Sequence, residues 1–268
     1  MLLVIDSGNT NCVFAAYKGS ELLGQWRLVT DVNRSPQQYK EALEPLLAQQ
    51  QLNLNLVDGV AISNVVMDGL SGLVEFSQNH LHCDPLVVGD ANVNLGLNIA
   101  VEAPNKVGTD RLVNIVAAYR RHKTSAIIID FGTATTFDVM NVKGDFCGGV
   151  IAPGIELSLH ALQNIAPQLP KINVNKPKKT IGTSTSCAME SGIYYGYIGL
   201  VENIVKHIKQ EYGQNMTVIA TGGLAPLLVD AIDIIDHLES DLTIEGLHSI
   251  YDLNQNLNDL TQNNKKSA

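Results

Sequence analysis

Two apolar runs far apart in the chain end in the same way. Leu2-Leu-Val-Ile5 runs into Asp6-Ser-Gly-Asn-Thr10, and Ala126-Ile-Ile-Ile129 runs into Asp130-Phe-Gly-Thr-Ala-Thr-Thr136. In each, a buried-strand pattern stops at a carboxylate, glycine follows two residues later, and small polar residues lead into a second apolar run. The echo continues. Lys18-Gly19-Ser20 and Lys143-Gly144-Asp145 read as turns before third strands at 22–29 and 146–151, and the short apolar run 60–63 is answered by 218–221. Matched order over this length predicts a duplication: an α/β chain of two related domains, each opening strand–turn–strand with Asp at the bend.

Between the repeats the pattern changes period. Residues 36–51 and 68–79 read as helices, and 86–88 as a short strand. A helix is predicted from Thr109, with Leu112, Ile115, Val116 and Tyr119 on one face. A longer one is predicted over 186–212, with Met189, Ile193, Tyr197, Leu200, Ile204 and Ile208 inward. The expected division is a first domain over 1–107, a second over 108–254 that starts with the inter-domain helix, and a frayed polar tail over 255–268.

Charge and cysteine usage narrow the partners. A formal net charge of −9 argues against nucleic acid and anionic membranes, which reward basic surfaces. No run of about 18 apolar residues is present, so no membrane span is expected. No basic segment precedes the first strand, so neither a leader peptide nor export is expected, and the chain reads as cytoplasmic. Cys12, Cys83, Cys147 and Cys187 form no CxxC pair and read as four reduced thiols.

The chemistry lies in the bends. Gly8 lets the backbone approach a ligand closely, and the turn amides with Asn9 and Thr10 can donate to phosphate oxygens. Asp6 repels phosphate and so acts through Mg²⁺. In the second bend Thr133, Ala134 and Thr135 can grip other phosphates, and Asp130 can hold a second cation. Gly222-Gly223 at a strand end offers flat backbone to a base or ribose. At the start of the inter-domain helix, Arg111 can fork onto a substrate carboxylate, and Asp110 can accept the proton of an attacking hydroxyl. An ordinary hairpin and an ordinary helix cap would use the same residue types. P-loop, GxGxxG and GxSxG signatures are absent, and the Asp130-Phe131-Gly132 triplet lacks an HRD partner.

Taken as an ordered set, Asp6-x-Gly-Asn-Thr10, Gly108-Thr-Asp-Arg111, Asp130-Phe-Gly-Thr-Ala-Thr-Thr136, Gly148-Gly-Val-Ile-Ala-Pro-Gly154 and Thr221-Gly-Gly-Leu224 resemble the type III pantothenate kinases of the acetate and sugar kinase/Hsp70/actin superfamily. The resemblance runs to about Asn254. It implies two ribonuclease-H-like, actin-like ATPase domains around a nucleotide cleft, usually in a homodimer. It implies ATP-dependent phosphorylation of pantothenate at its primary hydroxyl, the first step of coenzyme A synthesis, with Mg²⁺ and a monovalent cation, K⁺ or NH₄⁺. Carried over by motif, Asp6, Ser7, Gly8, Asn9, Thr10, Asn11, Cys12 and Val13 form the first ATP phosphate loop, and Thr133 also touches ATP. Gly108, Thr109, Asp110 and Arg111 contact pantothenate, with Asp110 as proton acceptor; Asp130 binds the monovalent cation; Thr185 reaches the substrate from a partner subunit. Many members carry Tyr where this chain has Val101, seven residues before Gly108, so the apolar wall of the substrate site is expected to be built differently. A sugar-type kinase of the same superfamily and a non-catalytic nucleotide-binding regulator are the alternatives. No sugar-binding cluster of Asn, Asp, Glu and His near either bend favours the first. The joint presence of Asp6, Asp110 and Asp130 argues against the second.

Overall fold

The computed structural model describes residues 1–266, with side chains described through residue 257. The chain divides into two compact units. The first comprises Met1–Asn98, Glu102–Arg120 and the segment from Leu242 on; the second comprises Ile99–Val101 and Arg121–Asp241.

In the first unit β1 (Leu2–Ser7), β2 (Asn11–Lys18), β3 (Glu21–Val29), β4 (Gly59–Asn64) and β5 (Leu86–Val87) form one sheet in the order β3-β2-β1-β4-β5. β2 runs antiparallel to both β1 and β3, and β4 runs parallel to β1. The strands are apolar at successive positions because both faces are covered. Leu3, Ile5, Phe14 and Ile62 pack with Tyr39, Leu43 and Leu47 of α1 (Pro36–Ala48) and Leu73 and Phe76 of α2 (Leu70–His80). Leu2, Val4, Ala15, Tyr17 and Ala61 pack with Val113 of α3 (Thr109–His122) and Ile244, Leu247 and Ile250 of α7 (Leu242–Lys266). Helix α1 starts where its sequence says it should: Ser35 and Gln38 form a reciprocal capping box, with Pro36 in the first turn.

The second unit repeats the plan. Its strands are β6 (Ala126–Phe131), β7 (Ala134–Met140), β8 (Phe146–Pro153), β9 (Thr217–Thr221) and β10 (His237–Leu238). Their order, β8-β7-β6-β9-β10, matches the first sheet strand for strand. β7 is antiparallel to β6 and β9 is parallel to it, as β2 and β4 are to β1. The predicted duplication is therefore present in the topology. One face of this sheet packs against Tyr194, Tyr197, Val201 and Val205 of α5 (Thr185–Tyr212). Helices α4 (Ile155–Ile165) and α6 (Ala225–Leu228) complete the unit.

The elements differ from expectation in three places. Residues 255–266 are helical and continue α7, and residues 267–268 of the expected tail lie outside the described residues. The apolar positions of α7 begin at Leu242, ahead of the Asn-rich stretch, and cover one face of the first sheet. The same helix and α3 through Arg120 belong to the first unit, so the division is not a single cut near residue 107. The buried face of α5 is Ser191, Tyr194, Tyr197, Val201 and Val205, which keeps Tyr197 from the predicted stripe and is otherwise turned from it; Ile193, Leu200, Ile204 and Ile208 flank it half-buried. Isoleucines and a leucine mark that helix's shoulders, and its tyrosines and valines mark its centre.

Candidate active site

In the first unit β1 and β2 are in register up to Asp6↔Val13 and Ser7↔Cys12, which leaves Gly8, Asn9 and Thr10 as the bend. Asn9 and Thr10 are exposed, Asp6, Gly8, Asn11 and Val13 are half-buried, and Ser7 and Cys12 are buried. The bend closes through the Gly8 N–H, which donates to the Asn11 carbonyl at 3.0 Å. Thr30, just past β3, ties it from the side: its hydroxyl donates to the Gly8 carbonyl and its N–H to the Thr10 carbonyl. With those carbonyls engaged, the chemistry left to the tip is that of amides and short polar side chains, which suits an anion. Burial, reinforced by the charge of Asp6, pushes the Cys12 thiol up to about 12, against smaller opposing effects of Arg34 and Ser7. Cys12 is thus a packing residue of the bend and not a nucleophile.

The Gly108–Arg111 segment arrives at the same end of this sheet. β1 and β4 run parallel with Asp6 beside Ser63 and Ser7 beside Asn64. Ser63 Oγ lies 3.0 Å from Thr109 Oγ1, and the Thr109 hydroxyl also donates to the Asn64 carbonyl at 3.2 Å. The strand pairing and this side-chain contact bring the Asp6 bend and the start of α3 together inside the first unit. Asp110 occupies the first turn of α3, and its Oδ1 accepts from the Arg111 N–H at 2.8 Å. Burial raises its carboxyl above the ordinary carboxylate range; the Arg111 N–H and guanidinium pull partly the other way. A Cβ at Gly108 would fall 2.6 Å from Asp110 Oδ1, so glycine leaves room for the carboxylate.

The second unit builds its own bend. The Gly132 N–H donates to the Ala134 carbonyl at 3.1 Å, the counterpart of the Gly8 bond. Gly154, at the start of α4, donates to the Thr133 carbonyl at 3.1 Å, and a Cβ there would lie 2.3 Å from that same oxygen. Asp130 pairs with Thr221 in the parallel β6–β9 register. Behind it Gly222 has φ +93°, and the place of its missing Cβ lies 2.5 Å from Asp130 Oδ1 and 2.7 Å from the Phe131 carbonyl oxygen. Buried Thr135 meets the Tyr197 hydroxyl, which donates to the Pro153 carbonyl at 3.0 Å, tying β7, β8 and α5 together beneath the bend. Val101 belongs to this unit: Ala100 donates to the Phe146 carbonyl at 2.8 Å, and a Cβ on Gly148 would sit 3.8 Å from Val101. Thr185 is exposed in the first turn of α5, after the N-cap Ser184 that accepts from the Cys187 N–H.

The donor chemistry fits the groups implied by the motifs. Asp130 Oδ1 is a hard oxygen, the kind of donor a monovalent cation takes, and the Phe131 carbonyl beside it accepts from the Leu224 N–H. Asp6 offers one carboxylate beside an anion-binding turn, the usual protein share of a phosphate-bound Mg²⁺. Among the described residues no group of three or more His, Cys, Asp and Glu could hold a metal by itself. Thr30 and Ser63 are the site-building residues that the sequence reading missed. A lone hydroxyl at a strand end has no spacing or pattern that distinguishes it from the chain's other serines and threonines.

The family model for type III pantothenate kinase matches residues 2–207. The chain belongs to the type III pantothenate kinase family. A type III pantothenate kinase of Paramagnetospirillum magneticum is 49% identical over 251 residues, covering 94% of this chain and 96% of its own length. Among solved structures, a Baf family transcriptional activator from Campylobacter jejuni superposes with TM-score 0.59 at 20% identity, covering 95% of this chain and 99% of its own. An activator of 2-hydroxyisocaproyl-CoA dehydratase from Clostridium difficile with bound ADPNP does so at 0.56 and 13% identity, covering 96% and 97%. At those identities they share the fold alone, an α/β one that here has two five-stranded mixed sheets of matching order. Among the described residues no helix is long and apolar enough to cross a membrane.

Proposed function

We propose that the chain phosphorylates the primary hydroxyl of pantothenate with ATP, for coenzyme A synthesis, using Asp110 as the proton acceptor. The activity is that of the family to which the chain belongs. The observation that carries the residue assignment is the placement of Asp110: a half-buried carboxylate in the first turn of α3, beside the strand pair that ends in the Asp6 bend. Its partial burial raises its affinity for a proton, and the Arg111 N–H bond, the Arg111 guanidinium and the helix N-terminus pull partly the other way, towards the carboxylate. A carboxylate of that kind orients an alcohol and takes its proton late, which is all a loose phosphoryl-transfer transition state asks.

Arg111 is assigned to the pantothenate carboxylate, whose two oxygens suit a guanidinium fork. Residues 6–13 are assigned to the ATP phosphates, with Asp6 directed at Mg²⁺; Thr133 is assigned to ATP and Asp130 to K⁺ or NH₄⁺. The cations supply positive charge to the phosphates in a chain whose net charge is −9. The proposal includes a cytoplasmic homodimer in which Thr185 of one copy serves the other's substrate. Its support is the exposure of Thr185 together with large exposed apolar side chains of the same unit, Ile165 at 86% and Ile181 at 83%.

The test is ATP consumption with pantothenate, with and without K⁺ or NH₄⁺, for the wild type and Asp110→Asn. The expected result is cation-dependent turnover that the variant loses while it still binds nucleotide. No turnover with every cation present overturns the kinase reading. Full turnover by the variant removes Asp110 from the proton step. A panel of small sugars run in parallel separates pantothenate from another hydroxyl substrate.

A further inference from the structure

Thr109 carries one hydroxyl proton, and its geometry spends that proton on the Asn64 carbonyl at 3.2 Å. The contact with Ser63 Oγ at 3.0 Å must then run the other way, with the Ser63 O–H donating to Thr109 Oγ1. Ser63 is fully buried, and its strand register sets it beside Asp6. On its far side the Thr109 methyl faces Gly89, whose φ is +104° and whose missing Cβ would lie 3.3 Å from Thr109 Cγ2. Thr109 is thereby held by hydroxyl on one side and by methyl on the other, one residue before Asp110.

We infer that Ser63 is a positioning residue for catalysis: its hydroxyl fixes Thr109, and through Thr109 the first turn of α3, so that the Asp110 carboxylate is held in place relative to the strand that carries Asp6. The inference rests on the reading of Asp110 as proton acceptor. A general base acts only within hydrogen-bond reach of its proton, and small displacements of such a group cost rate steeply. Ser63 itself touches neither substrate nor cofactor in this account. Its effect belongs in kcat and not in nucleotide affinity.

The experiment is a double-mutant cycle of Ser63→Ala and Thr109→Val in the full-length chain, reading kcat and both KM values, with Asp110→Asn alongside. Ser77→Ala is the control. Ser77 is also a fully buried serine of the first unit, but its hydroxyl donates to the Leu73 carbonyl within α2. The expected result is a fall in kcat of about 10-fold for Ser63→Ala with the KM for ATP unchanged. The double variant is expected to be no slower than Thr109→Val alone, since both changes break one chain of bonds. Ser77→Ala is expected to keep the wild-type kcat even if its melting temperature falls. Ser63→Cys keeps the volume with a weaker donor, and takes the place of alanine if that variant does not fold. A wild-type kcat in the Ser63 variant, or losses that multiply in the double variant, overturns the inference. If Asp110→Asn also keeps full activity, the failure lies in the reading of Asp110 instead.

Discussion

A methyl group on Gly222 would lie 2.5 Å from Asp130 Oδ1. The same methyl would meet the Phe131 N–H nitrogen at 2.6 Å and its carbonyl oxygen at 2.7 Å, so two of the three obstacles are backbone and cannot swing aside. At φ +93° the residue also occupies a region that L side chains disfavour.

Gly222→Ala is therefore expected to destabilise the fold by about 1–3 kcal/mol through backbone strain and to displace Asp130. Thermal melting gives the first effect. Loss of the response of turnover to K⁺ or NH₄⁺ gives the second. A variant that melts and responds like the wild type removes Gly222 from the cation site.

Cys12 lies inside the residues assigned to the phosphates, which invites the idea that it reacts. Its thiol is buried and pushed up to about 12, so at pH 8 roughly one molecule in 10⁴ carries the thiolate. Cys187 is exposed. Iodoacetamide at pH 8 is expected to label Cys187 and spare Cys12 until the protein is unfolded. Peptide mapping by mass spectrometry reads both sites at once, and prompt labelling of Cys12 in the native protein contradicts the burial argument.

The parts of this molecule that were legible in the sequence are those where one physical requirement acts alone. Strand β1 had to be apolar from Leu2 to Ile5 because both faces of its sheet are covered, and Ala126–Ile129 of β6 is as fully buried, so the duplication could be read from Leu2–Asp6 and Ala126–Asp130. The bends were legible because Asp followed by Gly at a strand end has few other uses. Helix α5 was located well and phased only in part: Tyr197 was placed inward correctly, but Ile193, Leu200, Ile204 and Ile208 lie beside a central stripe of Tyr194, Tyr197, Val201 and Val205, because the helix's apolar residues span more than one face. Ser63, Thr30 and the return of α7 to the first sheet were not legible, because each depends on a partner distant in sequence: Thr109, Gly8 and Val113.

Asp110 gives activity and stability opposite responses to pH. Its folded-state pKa is raised by burial, and a base works only when ionised, so kcat is expected to fall as pH drops through that raised value, above the ordinary carboxylate pKa of about 4. For stability the sign reverses. A raised carboxyl favours the fold where it is protonated, so its contribution is present below the unfolded value and is lost as pH rises through the folded one. Mild acidification should therefore cost turnover while this group's contribution to stability grows. A kcat profile and a melting profile over the same pH range check this, and an acid limb at or below the ordinary carboxylate range counts against Asp110 as the titrating base.

Gly192, Gly196 and Gly199 sit at i, i+4 and i+7 of α5, all exposed, and a Cβ on any of them would find nothing within 4 Å. Within one chain this stripe does no packing, and each glycine weakens the helix by about 0.5–1 kcal/mol relative to alanine. Helix α4 packs on α5 and leaves Leu157, Leu162 and Ile165 exposed, so apolar surface is present on the neighbouring element as well. A face used by a second copy accounts for both features, since small residues let another backbone approach closely. Gly196→Ala is expected to raise the stability of the isolated chain by about that same 0.5–1 kcal/mol. Gly196→Leu is expected to leave the fold intact and weaken self-association at least about 10-fold, which corresponds to 1.4 kcal/mol lost where the side chain must be accommodated. Sedimentation over a concentration series reads the association. An unchanged dimer in the leucine variant assigns the contact to another face, and a wild-type chain that stays monomeric at every concentration removes the dimer from the proposal.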